Sequence, residues 1–131
     1  CIRDRNNAEL ARAVLEGVAF AFADGQQALI DSGTQIDQVS VIGGGSRSLL
    51  WGKILASVLQ RPLVYREGAE VGPAFGAARL ARLAVSNETA AQVCTAGEIK
   101  NTIAPDAVMS DYYHKQYQTF KSLYNSLKAH F

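Results

Sequence analysis

QVSVIGGGSRSLLW, residues 38–51, is the most informative stretch of the sequence. Its first five residues, 38–42, are rich in β-branched side chains, which is typical of a short buried strand. The three glycines at 43–45 predict a tight loop, and the apolar pattern over about 49–60 predicts a helix. A strand that leads through a glycine loop into a helix is characteristic of an α/β layer.

The segment before this stretch predicts a long helix over about 8–32. Asn7 is a suitable N-cap, and Gly33 is a suitable C-terminal stop. Because the apolar residues cover a broad arc, we expect this helix to be well buried. Gly17 and Gly25 lower helix propensity, so we expect them to mark close packing against another element. The apolar stripe consists of Leu10, Val14, Val18, Phe22 and Leu29.

The segments after the stretch predict a second strand at 63–65 and further helices at 73–85 and about 108–129. The helix at 73–85 is rich in glycine and alanine, which predicts tight packing on the sheet or its neighbours. Residues 86–104 are mixed and polar, with a short helix near 89–93. Strands separated by helices predict a layer with parallel strands. Two strands make a sheet of less than normal size, so we expect further strands, either elsewhere in this chain or outside it.

Several residues belong to types that are often catalytic or metal-binding in other proteins. In this sequence, packing or solvent exposure is the better explanation for each of them. Trp51 lies on the apolar stripe of the second helix and is expected in the core. His114 and His130 lack partners at ligand spacing and are expected on the surface. Cys1 and Cys94 are expected to be free thiols in a reducing compartment. The aromatic residues of the last helix follow 4-3-4 spacing, which predicts a packing stripe of Tyr113, Tyr117, Phe120 and Tyr124.

Composition and charge predict one globular domain over residues 1–131, since 48% of the residues are apolar and 19% are charged. A net charge of +1 argues against a nucleic-acid partner. The longest apolar run, 18–23, is too short to cross a membrane, and no signal peptide is visible. We therefore expect a cytoplasmic protein with no membrane partner. The first residue is not Met, which favours a piece of a longer polypeptide.

The glycine loop is suited to binding a nucleotide. Glycines let a ligand approach the backbone, and the following helix N-terminus offers unpaired N–H groups with positive dipole potential. Ser46, Arg47 and Ser48 add hydrogen-bonding groups. A tight turn capped by Ser46 or Ser48 explains the same pattern without a ligand. The loop is not of the Walker A type, because no Gly-Lys-Ser/Thr follows.

Alternative functions remain open at this point. Gly43 and Gly45, with Glu67 beyond the second strand, partly match a dinucleotide-binding motif, but Ser48 stands where the third glycine is expected. Glu67 and Glu70 are spaced for a metal site or an acid/base pair, although such carboxylates are more often solvated loop charges. A third hypothesis is an interaction unit in which the glycine loop is only a turn.

Three motifs together resemble the C-terminal part of the FGGY carbohydrate kinases. They are LARAVLEGVAF at 10–20, VIGGGSRS at 41–48 followed by Trp51, and EVGPAFGAA at 70–78. The resemblance is strong over about 9–82 and extends to the terminal helix. It implies an α/β fold that is part of the C-terminal actin-like (ribonuclease H-like) ATPase lobe, helix-rich with a few strands. It also implies phosphoryl transfer from ATP, with Mg²⁺, to a sugar hydroxyl.

The resemblance assigns the glycine loop to the nucleotide. It implies that Gly44 and Gly45 lie against ATP, with Gly43 in the same loop. Ser48 takes the position at which relatives often have an Asn that contacts adenine, and residues 72–76 begin the helix beside that pocket. The catalytic Asp and the sugar-binding lobe of the family precede the matched region, so no catalytic residue and no metal ligand is assigned in this chain.

The substrate and partners also follow from the resemblance. It implies D-xylulose as the sugar, bound through the absent N-terminal lobe, with ribulose, gluconate and glycerol as alternatives. We expect the chain alone to be inactive, because the base and the sugar site are absent. A piece of a larger domain exposes apolar surface, which allows a homodimer through that surface.

Overall fold

The computed structural model describes residues 6–130, which form a helix-rich α/β arrangement with a three-stranded sheet. Cys1 lies outside these residues, whereas Cys94 is free and exposed, as expected. The helices are α1 (Asn7–Asp31), α2 (Leu49–Leu59), α3 (Gly72–Val85), α4 (Ala90–Val93) and α5 (Ala107–Leu127). The strands are β1 (Val39–Ser40), β2 (Leu63–Arg66) and β3 (Ile99–Ile103), and single 3₁₀ turns lie at Gly44–Arg47, Ala69–Val71 and Lys128–His130.

The sheet has the order β1-β2-β3. The predicted parallel pairing of the first two strands is confirmed, although β1 is shorter than the expected 38–42. β3 runs antiparallel to β2, with Leu63 opposite Ile103, and was not predicted. Four of its five residues are exposed, because an edge strand needs no continuous apolar face. The polar sequence of this strand therefore resembles a loop.

The core forms where α2 packs against α1, α5 and the sheet. The predicted packing of Trp51 is confirmed, since it contacts this cluster while remaining partly exposed. The Phe20 ring of α1 lies among aromatic rings of α5, but Tyr124 is 61% exposed, so its predicted place in that stripe is wrong. The buried cluster consists of Ala19, Phe20, Ala23, Ile54, Leu55, Ala56, Leu59, Leu63 and Tyr113. Ring centroids lie 6.2, 6.0 and 5.5 Å from Phe20 for Tyr113, Tyr117 and Phe120.

The prediction that the apolar stripe of α1 is buried is wrong. Its five residues are 46–67% exposed, and the helix is buried on a different face. Gly17 is half-buried and Gly25 is exposed, and a Cβ added at either would have no neighbour within 4 Å. The expected close packing is therefore absent from the described residues. Asn6, rather than Asn7, is the N-cap, in a reciprocal capping box with Glu9.

Helix α3 also differs from expectation. None of its residues is buried, so its small residues do not press against the sheet. Its contacts are largely polar: Arg79 donates to the Thr95 carbonyl at 2.7 Å and stacks 4.2 Å from the Phe75 ring centroid. Arg82 forms an ion pair with Glu88 at 2.5 Å. This helix is held at its N-terminal end and along one side only.

The last helix is fixed to α2 and α1 by polar contacts. Asp106 caps α5 by accepting from the Met109 N–H at 2.8 Å, and its own N–H donates to the buried Ser57 hydroxyl at 3.2 Å. Tyr117 donates a short hydrogen bond to Asp24 of α1. These contacts tie α5 to α2 at its N-terminus and to α1 near its middle.

Alkaline titration tests the contact between Tyr117 and Asp24. Burial, and then the hydrogen bond to Asp24, raises the pKa of Tyr117 to about 12. A group with a raised pKa stabilises the fold fully below the unfolded pKa of about 10 and loses this contribution as pH rises towards 12. We expect the free energy of unfolding to fall less between pH 9 and 11.5 for Tyr117→Phe than for the wild type, measured by urea denaturation. Tyr124→Phe controls for the loss of a phenol, and equal pH dependence in all three proteins would contradict the assignment.

Candidate functional site

The glycine loop, residues 43–48, lies at the carboxyl end of β1. Val41 extends the strand pairing by donating its N–H to the Val64 carbonyl at 3.1 Å. The chain then turns at Gly43, whose φ of +84° is strongly disfavoured for a residue with a side chain. One 3₁₀ turn follows before α2 begins. The loop is therefore held between a strand end and a buried helix.

The two serines of the glycine loop have different roles. Ser48 is the N-cap of α2, because its hydroxyl accepts from the Trp51 N–H at 3.2 Å. The Ser46 hydroxyl and N–H both donate to the Gly43 carbonyl, at 2.7 and 3.1 Å. The alternative of a capped turn thus accounts for both hydroxyls, and Ser48 supplies the cap.

The two glycines that follow Gly43 have different surroundings. A Cβ added to Gly44 would have no neighbour within 4 Å, whereas one on Gly45 would lie 3.4 Å from the Trp51 ring. Both residues are exposed. The backbone at Gly44 therefore leaves open space in which a ligand could lie.

A second loop, residues 67–72, contacts the glycine loop. The Gly43 N–H donates to the Ala69 carbonyl at 2.8 Å. Gly72 lies against Gly43, since a Cβ on Gly72 would be 3.7 Å from the Gly43 nitrogen. The resemblance implied that residues 72–76 lie beside the site, and the structure brings the first of them into contact with it. Ala69 was not predicted, because a backbone carbonyl leaves no mark in the residue type.

Two hollows flank the glycine loop. The larger, about 410 Å³, is lined by Arg47 of the loop and by Arg66 and Lys100 of the sheet, with Glu70 as the acidic member. Tyr65 also lines this hollow, but its hydroxyl is buried beside Gly52 of α2 without a hydrogen-bond partner among residues 6–130, and burial raises the pKa of Tyr65. An excess of cationic side chains favours an anionic ligand.

The second hollow is apolar and measures about 240 Å³. It is lined by Gly45 and Trp51 together with Val39, Val41 and Phe22. The glycine loop therefore borders both an apolar surface, through Gly45, and a basic one, through Arg47. Such a pair of surfaces suits a ligand that combines a flat apolar group with phosphates.

The remaining candidate residues do not form a site. Glu67 pairs with Lys100 at 3.2 Å, and no group of metal-binding side chains occurs in the described part of the chain. Glu67 and Glu70 are exposed, in agreement with solvated loop charges. His114 and His130 are exposed, as predicted. Within residues 6–130, no helix combines the length and apolar character needed to span a membrane.

Comparison with known proteins identifies relatives of this chain. The model of the FGGY family of carbohydrate kinases, C-terminal domain, matches residues 2–85. The xylulose kinase of Escherichia coli K12 is 42% identical over 120 residues, which are 91% of this chain and 25% of that protein. Among solved structures, a "xyloylose kinase" from Brucella ovis is similar with a TM-score of 0.82 and 39% identity, over 96% of this chain and 26% of that one. Xylulose kinase from Rhodospirillum rubrum has a TM-score of 0.72 and 32% identity over the same shares. The chain thus spans about a quarter of the length of these relatives.

Substitution of Ser48 separates its capping role from any ligand contact. Loss of an N-cap hydroxyl costs about 1 kcal/mol of stability, whereas Asp at the same position keeps an acceptor. We expect Ser48→Ala to lower the free energy of unfolding by about that amount and Ser48→Asp to retain it, measured by urea denaturation without ligand. A Ser48→Ala variant as stable as the wild type would show that the cap contributes nothing.

Proposed function

The chain belongs to the FGGY family of carbohydrate kinases, and we propose that it is the C-terminal, nucleotide-binding portion of an ATP-dependent sugar kinase. The observation that carries the proposal is the family match over residues 2–85. That range contains the glycine loop, the second loop and the helices α2 and α3 that they begin. Since the relatives are about four times as long, the sugar site and the catalytic base belong to the remaining part of such a kinase.

In this proposal the nucleotide lies against Gly43, Gly44 and Gly45, with Ser48 at the edge of the pocket. The open space at Gly44 and the helix N-terminus behind it support this placement. The apolar hollow suits the base, and the basic hollow suits the phosphates. Mg²⁺ then enters with ATP, bound mainly through phosphate oxygens, as is usual for this ion.

We propose D-xylulose as the sugar, because the relatives with the highest identity reported above are xylulose kinases. The sugar hydroxyl oxygen forms a bond to the γ-phosphorus of ATP while the bond from that phosphorus to ADP breaks. A carboxylate base takes the hydroxyl proton. Ribulose, gluconate and glycerol remain the alternative substrates. The cytoplasm is the proposed compartment, since it supplies ATP.

Nucleotide titration tests the proposed site. We expect saturable amide shifts at residues 43–48 and 72–76 when Mg²⁺ and AMP-PNP, a non-hydrolysable ATP analogue, are added to the isotope-labelled chain. In Gly44→Ala, the new methyl group occupies the space assigned to the ligand. A clash of about 1.4 kcal/mol weakens binding about tenfold.

Gly25→Ala is the matched control, because this exposed helical glycine also has no neighbour within 4 Å and lies outside the site. It should bind AMP-PNP as the wild type does. A folded wild-type chain without shifts at the glycine loop, or a Gly44→Ala variant of unchanged affinity, would contradict the placement. A preference for NAD over the ATP analogue would favour the dinucleotide alternative instead.

We further propose that the apolar stripe of α1 is covered by the rest of the kinase. The stripe is continuous with the apolar hollow through Phe22, and the outer edge of β1 has no neighbouring strand among residues 6–130. Additional strands beside β1 would complete the sheet and bury this face.

In the isolated chain the same face is available to a second copy, and we propose that the isolated chain forms a homodimer through it. Light scattering of the chain measures the mass of the assembly and so tests this proposal.

A chimera tests both the activity and the covered face. We expect residues 6–130 alone to show no turnover of ATP and D-xylulose in a coupled assay for ADP. A chimera in which these residues replace the matching quarter of the E. coli xylulose kinase should phosphorylate D-xylulose. Val14→Asp on the stripe should abolish the activity of the chimera, whereas Val108→Asp, an exposed position outside the stripe, should not. Turnover by the chain alone, or equal activity of both variants, would contradict these proposals.

A further inference from the structure

We infer that the second loop positions the glycine loop for nucleotide binding through the Ala69 carbonyl, with Gly72 as the residue that keeps this carbonyl in place. The inference rests on the proposed function. It assigns a role to residues that need not touch the nucleotide themselves. They act through Gly43.

The peptide groups around Gly43 are held from two directions. Its N–H donates to the Ala69 carbonyl at 2.8 Å, and its carbonyl accepts from both the N–H and the hydroxyl of Ser46. The Ser46 bonds are internal to the glycine loop. The bond to Ala69 links the glycine loop to the second loop, and it therefore helps to determine where the exposed backbone of Gly44 lies.

One oxygen atom connects the two loops. The Ala69 carbonyl that accepts from Gly43 also accepts from the N–H of Gly72. The position of this oxygen therefore depends on the backbone conformation at Gly72. A change in the backbone of Gly72 therefore alters the hydrogen bond of Gly43, because both N–H groups share the Ala69 carbonyl as their acceptor.

Gly72 has a conformation that only glycine adopts at low cost. Its φ is +43° and its ψ is −122°, outside the regions open to residues with a side chain. Lack of space does not exclude a side chain at Gly72, because an added Cβ would lie 3.7 Å from the Gly43 nitrogen, an ordinary contact distance. An Ala at this position must instead rotate its backbone, and the rotation withdraws the N–H that holds the Ala69 carbonyl.

Gly72→Ala and Gly76→Ala form a matched pair for the test. Gly76 lies four residues further on in α3, has no neighbour within 4 Å and is helical, so Ala is tolerated there. Amide hydrogen exchange without nucleotide is measured first. We expect the Gly43 N–H to exchange at least about tenfold faster in Gly72→Ala, a loss of about 1.4 kcal/mol of protection, and to be unchanged in Gly76→Ala.

Binding of Mg²⁺ and AMP-PNP is measured next. We expect the Kd to rise several-fold in Gly72→Ala and to stay at the wild-type value in Gly25→Ala, the control that lies outside the site. If the wild type does not bind AMP-PNP, the proposed function fails, while the exchange of Gly43 still tests the contact between the loops. Unchanged exchange in Gly72→Ala overturns the inference. Faster exchange with an unchanged Kd overturns it too, since the contact would then be structural only.

Gly68 provides a second pair in case Gly72→Ala does not fold. Its φ of +75° and ψ of 3° lie in the left-handed region, which Asn tolerates and a β-branched residue does not. We expect Gly68→Asn to keep the wild-type Gly43 exchange and Kd, and Gly68→Val to raise both. Equal behaviour of these two variants overturns the inference.

Discussion

The burial of α2 is the constraint on which the rest of the described structure depends. Six of its eleven residues are buried, so little of this helix can move without disturbing the core. It packs against α1 and α5, and Gly52 allows the sheet to approach closely, because a Cβ there would lie 2.6 Å from the Ile103 side chain. The glycine loop ends at the N-cap of this helix. The candidate site therefore gains rigidity from the core at its α2 end, in addition to the hydrogen bond between Gly43 and Ala69.

Much of this arrangement is visible in the sequence, because local rules determine it. The glycine loop, α2 and the parallel pairing follow from β-branched residues, consecutive glycines and apolar periodicity. The burial of the apolar stripe of α1 could not be predicted from such local rules. Periodicity identifies Leu10, Val14 and Val18 as one apolar face, but whether that face is covered depends on chain segments far away or outside these residues.

Two other features were beyond sequence reasoning for different reasons. β3 carries polar residues because it lies at an edge, and its pairing with β2 is a long-range property of the backbone. The link between the loops uses the Ala69 carbonyl, a group that every residue has. The only indication in the sequence is the pair of glycines at 68 and 72. Both have a positive φ, but the sequence does not show that their loop contacts Gly43.

The two edges of the sheet have opposite consequences for assembly. β3 presents Lys100, Asn101 and Thr102, and charged or polar edge residues discourage the addition of another strand. The edge at β1 is bordered by apolar side chains, and the two-residue length of this strand is what limits pairing there. A further strand is therefore accommodated more readily at β1 than at β3. While β1 stays unpaired, its apolar border is the part of the sheet that is more exposed to aggregation, whereas the polar edge at β3 is guarded against it.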